Sequence, residues 1–135
     1  MTPLSNDEKL FWSNLLIYVE EEVKPNSNGF NITNKSLTQF CRQNNIVLVS
    51  QKGSKQLPAL SQTDKNTIRF KYSNKACATL LKHLRNAFAH CNINKDAKGN
   101  YELQDKYNSS LTMTGRIEPN LLYKLVEQIK AIRHK

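Results

Sequence analysis

Between residues 24 and 95 the chain has a single acidic side chain, Asp64, against twelve basic ones, a local net charge of +11. The remainder holds eight basic and ten acidic residues and comes to −2, so the overall +9 originates in the middle of the chain. So little acid in that span leaves no Asp/Glu/His cluster of the composition a Mg²⁺ or Zn²⁺ site needs, and no metal or other cofactor is expected. No apolar run approaches the roughly 20 residues a membrane-spanning helix requires, and the N-terminus lacks the basic-then-apolar layout of a secretion signal. The expectation is a cytoplasmic protein without membrane contact. Cysteine is scarce too: Cys41, Cys77 and Cys91 are odd in number and show no C-x-x-C spacing, and we read them as reduced core residues. No internal repeat is evident, and 135 residues fit a single domain, 1–135.

The basic middle permits two readings. Clustered lysine and arginine supply the salt-sensitive, sequence-independent part of nucleic-acid affinity, which makes a polyanion a candidate partner. The alternative is a solvated basic surface in an Asn- and Lys-rich chain.

Helical periodicity is clearest in four places. Ser5-Asn6-Asp7-Glu8 matches a capping box and opens a helix over 6–24 with Phe11, Leu15, Val19 and Val23 on one stripe, stopped by Pro25. Residues 26–34 read as a loop, and Leu37, Phe40 and Cys41 mark a short helix ending near Asn44-Asn45. Ser73 is a reasonable N-cap for a third helix over 74–91, with Cys77, Leu80, Leu81, Leu84, Phe88 and Cys91 on one face. Glu118-Pro119 opens the last helix, with Pro in the first turn and Arg133-His134-Lys135 complementing its C-terminal dipole. Between these, 46–49 either extends the second helix's packing or forms a short strand, and 50–67 reads as a loop. Ile68, Phe70 and Tyr72 alternate as a strand would, although they also fit a lead-in to the third helix. Tyr101, Leu103, Leu111, Met113 and Ile117 pattern as a β-hairpin over 101–117.

The third helix carries the chemistry. Its segment Leu84-Arg85-Asn86-Ala87-Phe88-Ala89-His90 places an arginine, a small polar residue and a histidine in the spacing R-N-x-x-x-H. A guanidinium can hold a phosphate bidentately, and an imidazole can move a proton near neutral pH. At about 100° per residue Arg85 and His90 flank the polar face roughly 140° apart, with Asn86 and Ala89 between them. RNA cleavage benefits from both a base and an acid. A two-fold dimer through this helix would bring two Arg85 and two His90 into one cleft. Lys75 and Lys82 on the same helix, with Arg69, Lys71 and His83, form the candidate nucleic-acid-binding set; His83 either assists or sits on the surface. The competing structural reading pairs Arg85 with a carboxylate or carbonyl and leaves His90 as a cation at a helix C-terminus. A helix-turn-helix built on 35–45 lacks a clear partner helix and turn. Phe11, Trp12, Phe40 and Phe88 read as core, while Tyr101 and Tyr107 either stack on a base or pack within the hairpin.

The string Leu84-Arg85-Asn86-Ala87-Phe88-Ala89-His90-Cys91-Asn92-Ile93 resembles the motif helix of the HEPN superfamily (higher eukaryotes and prokaryotes nucleotide-binding). The resemblance implies a mainly α fold, an up-and-down helical bundle dimerising through the motif helix, to which the small hairpin before the last helix is an addition. It also implies a metal-independent endoribonuclease of the kind found in toxin–antitoxin and antiviral systems, with RNA as substrate and an antitoxin protein as a possible partner. On that basis Arg85 would bind the phosphate, His90 would be the general acid or base and Asn86 the polar helper. Asn92 stands where one toxin subgroup carries a tyrosine that its antitoxin modifies, so that mode of neutralisation does not transfer. Some HEPN domains bind nucleotides or only dimerise, and a non-catalytic binding module is the alternative.

Overall fold

A computed structural model of the chain describes residues 3–25, 35–52, 56–72 and 76–132. The chain runs α1 (Asn6–Tyr18), continued by a π-helical segment (Val19–Val23), α2 (Lys35–Gln43), β1 (Val47–Lys52), β2 (Thr67–Tyr72), α3 (Ala76–Ala89), β3 (Ile93–Lys95), β4 (Tyr101–Tyr107), β5 (Ser110–Ile117) and α4 (Pro119–Ala131). The five strands form one mixed sheet in the order β1-β2-β5-β4-β3, with β1 and β2 parallel and the other pairs antiparallel.

This corrects the expected fold class. The protein is α+β, not a mainly helical bundle, because the hairpin over 101–117 recruits β1, β2 and β3 into a sheet. Both ambiguous stretches resolve as strand, β1 from Val47 and β2 from Thr67, and β1 runs on to Lys52, into what read as the loop 50–67. The parallel step from β1 to β2 needs a long connection, here residues 53–66. Its described part is held over one sheet face by arginines. Arg116 Nη1–H donates to the carbonyls of Ser61 (3.1 Å) and Asp64 (2.9 Å), and Arg69 Nη1–H donates to that of Ala59 (3.4 Å).

The helices gather on the opposite face, which presents Ile68 and Phe70 of β2, Met113 and Ile117 of β5, and Tyr101, Leu103 and Asp105 of β4. α3 lies between this face and α1, burying Cys77, Leu80, Leu81, Leu84 and Ala87. The α1 capping box is realised, with Glu8 N–H donating to Ser5 Oγ (3.2 Å) and Ser5 N–H to Glu8 Oε1 (3.0 Å). Glu8 goes further into the core than a cap requires. Its carboxylate also accepts from Lys95 Nζ (2.8 Å) and from the Tyr101 hydroxyl (2.6 Å), to which Tyr123 donates in turn (2.5 Å). Burial alone would raise the Glu8 pKa, but the bonds from Lys95, Ser5 and Tyr101 hold it at about 2.

Two boundaries differ from the periodicity. α1 changes to i→i+5 bonding at Val19, where Lys24 N–H donates to Val19 O (3.0 Å), which keeps both Val19 and Val23 buried. α3 stops at Ala89, so Cys91 is not on its apolar face. Cys91 is exposed with φ 59°, and the bonds Cys91 N–H to Phe88 O (3.1 Å) and Asn92 N–H to Ala87 O (2.7 Å) close a Schellman motif. Cys41 and Cys77 are buried as expected, and burial pushes the Cys77 thiol up to about 12. The expected loop 26–34, the Ser73 cap and Arg133-His134-Lys135 lie outside the described residues.

Candidate functional site

Arg85 and Asn86 are tied into a polar chain that crosses α3 from α1 to the sheet. On one side, Arg85 Nε lies 3.1 Å from Glu20 Oε1. Both atoms are shielded from solvent, and the pair is an ion contact whose N–H is not aligned as a hydrogen bond. Lys24 Nζ lies 2.9 Å from each Glu20 oxygen and, with Arg85, holds the carboxyl below its ordinary value. The π segment is what brings Glu20 to α3. From Arg85 the chain continues through Nη1–H to Asn86 Oδ1 (3.0 Å), and Asn86 Nδ2–H donates to Asp105 Oδ2 on β4 (3.3 Å). Arg85 Nη2 has no partner among the described residues.

The same Asp105 oxygen lies 2.7 Å from His83 Nδ1, and His83 Nε2 lies 2.8 Å from Lys71 O. A carbonyl only accepts, so Nε2 carries a proton and donates to Lys71 O. The His83 and Asp105 side chains are 12% and 8% exposed, so this pair is a buried link from helix to sheet and not a surface feature. Because β4 runs alongside α3, it covers part of the polar face that the helix alone would leave open.

His90 differs from every other member of the set. It occupies the cap position of α3, where its N–H donates to Asn86 O (2.9 Å), and its ring is exposed without a partner among the described residues. On one helix it stands about 7.5 Å along the axis from Arg85, and no hydrogen bond joins the two. A single chain therefore offers a fixed guanidinium and a free imidazole on either side of Ala89, which is exposed.

The proposed nucleic-acid residues divide. Lys82 is half-buried on α3, and Lys75 lies outside the described residues. Arg69 and Lys71 alternate with the inward Ile68 and Phe70, so their side chains leave the sheet on the face opposite α3. There Arg69 lies 3.7 Å from Asp64 and braces the β1–β2 connection. The sequence reading missed Glu20 and Asp105 altogether. Glu20 reaches Arg85 and Asp105 reaches Asn86 only through non-local packing. Among the described residues no three His, Cys, Asp or Glu side chains gather as a metal site would need, and no helix is long and apolar enough to cross a membrane. Cavities of about 300 and 400 Å³ lie on the outer sheet face beside Arg116 and between α2 and β1, and neither is lined by Arg85, Asn86 or His90.

The R-N-x3-H segment thus closes a helix that packs between α1 and the sheet. Comparison with family models makes the assignment: residues 11–135 match the HEPN pEK499 p136 family, and the chain belongs to it. No curated protein and no solved structure gives a significant match.

Proposed function

We propose that this protein is a metal-independent endoribonuclease acting as a homodimer through α3, in a toxin–antitoxin or antiviral setting. The observation that carries the reading is the unequal treatment of the motif. Arg85 and Asn86 are clamped by Glu20 and Asp105, while the His90 ring is left free at the helix end. A clamped guanidinium with an open Nη2 suits a phosphate oxygen, and a mobile imidazole suits proton transfer. In a two-fold pair the second copy supplies the second proton-transfer group. The 2′-hydroxyl oxygen attacks the adjacent phosphorus and loses its proton to one His90. The bond from phosphorus to the 5′-oxygen breaks, and that oxygen takes a proton from the other His90. The products are a 2′,3′-cyclic phosphate and a 5′-hydroxyl.

The same clamp also favours a second reading. With Arg85 committed to Glu20, the segment could serve structure alone, in a non-catalytic domain that binds nucleotide or nucleic acid. Incubating wild type, Arg85→Ala and His90→Ala with labelled mixed RNA in EDTA separates the two. Cyclic-phosphate ends from wild type only support the enzyme. No ends from any of the three folded proteins favour the binding module.

A further inference from the structure

We propose that Tyr107 is a base-stacking subsite for single-stranded RNA beside the α3 motif; this rests on the ribonuclease reading and names a specificity element for it. Along β4, alternate residues share a face, and Tyr101, Leu103 and Asp105 point toward the helices with exposures of 0%, 0% and 6%. Tyr107 continues that alternation yet is 73% exposed. The register shift after Asp105 skips Thr112 on β5 and leaves the β4 alternation running, so the ring lies on the helix side of the sheet, where no described residue buries it.

Its position relative to the motif follows from two contacts. Gln104 N–H donates to Asn92 O just beyond the C-terminus of α3 (3.1 Å), and Asp105 meets Asn86 and His83 further back along the helix. β4 therefore runs beside α3 from its C-terminal end toward its N-terminal end. Two residues past Asp105, about 7 Å, brings Tyr107 to the side of Asn86 away from His90. A strand of RNA laid along the polar face from His90 past Asn86 meets this ring next.

The backbone that carries the ring is fixed by the turn. Asn108 and Ser109 have φ of 50° and 67°, the pair of positive values of a two-residue type I′ hairpin turn, and Tyr107 pairs with Ser110 across it. A rigid aromatic costs little entropy to stack upon, and every base has a π-face to offer. The groups around it suit RNA better than an apolar partner surface. Asn108 and Ser109 in the turn are exposed, which places small polar groups beside the ring, while Lys106 leaves the strand on the opposite face.

The test uses a fluorescent 2′-O-methyl oligonucleotide of mixed sequence, which cannot be cleaved by 2′-hydroxyl attack, as a single strand and as a duplex. Titrated with wild type, Tyr107→Phe and Tyr107→Ala in EDTA, the single strand is expected to bind about tenfold more weakly to Tyr107→Ala alone. Duplex affinity, whose bases are already stacked, should be equal for all three. Unchanged single-strand affinity in Tyr107→Ala overturns the proposal, as does an equal loss on both probes or no binding by wild type. A shift of Tyr107→Ala to monomer in sedimentation also overturns it, by assigning the ring to a contact between chains. Cleavage of unmodified RNA is scored separately: stacking without cyclic-phosphate ends would remove the enzyme and leave the subsite.

Discussion

Asp105 shows how one side chain determines whether a helix face is a surface or a site. It accepts from Asn86 and faces His83 Nδ1 from a buried strand position, so removing it strands two polar groups at once. Asp105→Ala should lower the unfolding free energy by about 2–4 kcal/mol, the cost of leaving two buried polar groups without their acceptor, read from the urea midpoint. A change under about 1 kcal/mol would mean that water replaces the carboxylate without penalty. Glu8 gives a second prediction at this scale, through pH. Its folded value of about 2 lies below the ordinary 4.5, so the unfolded chain binds the proton more tightly. The stabilisation is present above about pH 5 and is lost as pH falls through 4.5 toward 2. Wild type should lose melting temperature over that window, and Glu8→Gln should lose less. Parallel acid profiles for the two would assign the acid sensitivity to other carboxylates, such as Asp64 and Asp96, whose pKa values are also lowered.

At the scale of elements, the β2–β5 contact is close at Gly115. A Cβ at Gly115 would lie 3.0 Å from Ile68 Cγ1 and 3.4 Å from Thr67 O. Gly115→Ala should therefore destabilise by about 1–3 kcal/mol in chemical denaturation, through overpacking. An effect near zero would mean that Ile68 shifts freely. The helices were legible because each writes its own periodicity: Ser5 and Glu8 mark the start of α1, Pro119 that of α4, and Leu80, Leu84 and Phe88 trace α3. The hairpin was legible through its alternation. β1 was legible only as one of two readings of 46–49, since Val47 and Val49 on a sheet edge are exposed and the partner that makes it a strand lies across the long 53–66 connection. The candidate site divides in the same way. Arg85, Asn86 and His90 are contiguous on a helix and could be read directly, whereas Glu20 and Asp105 come from other elements with no local pattern to reveal them. His83 misled for the same reason, because the carboxylate that buries it lies 22 residues away.

Over the whole molecule, the described basic residues of 24–95 do not share one face: Arg69 and Lys71 leave the sheet on the side opposite α3, which carries Lys82 and Arg85. Arg69 and Arg116 are spent on backbone carbonyls of the β1–β2 connection, and Glu20 neutralises part of the α3 surface. On the proposed ribonuclease reading, affinity for RNA would come from a few placed groups and from their duplication in a two-fold pair. Ala89 lies exposed between Arg85 and His90, close to where a two-fold axis through α3 would pass. Ala89→Arg should set like charges against each other there, giving a monomer in sedimentation that melts as wild type does but does not cleave RNA. The most direct test of the central claim, that His90 is free to act while Arg85 and Asn86 are held, measures cleavage and melting together on His90→Ala. The account predicts that RNA cleavage is abolished with the melting temperature and dimer unchanged. Wild-type cleavage by His90→Ala, or loss of activity only in step with loss of folding, would contradict it.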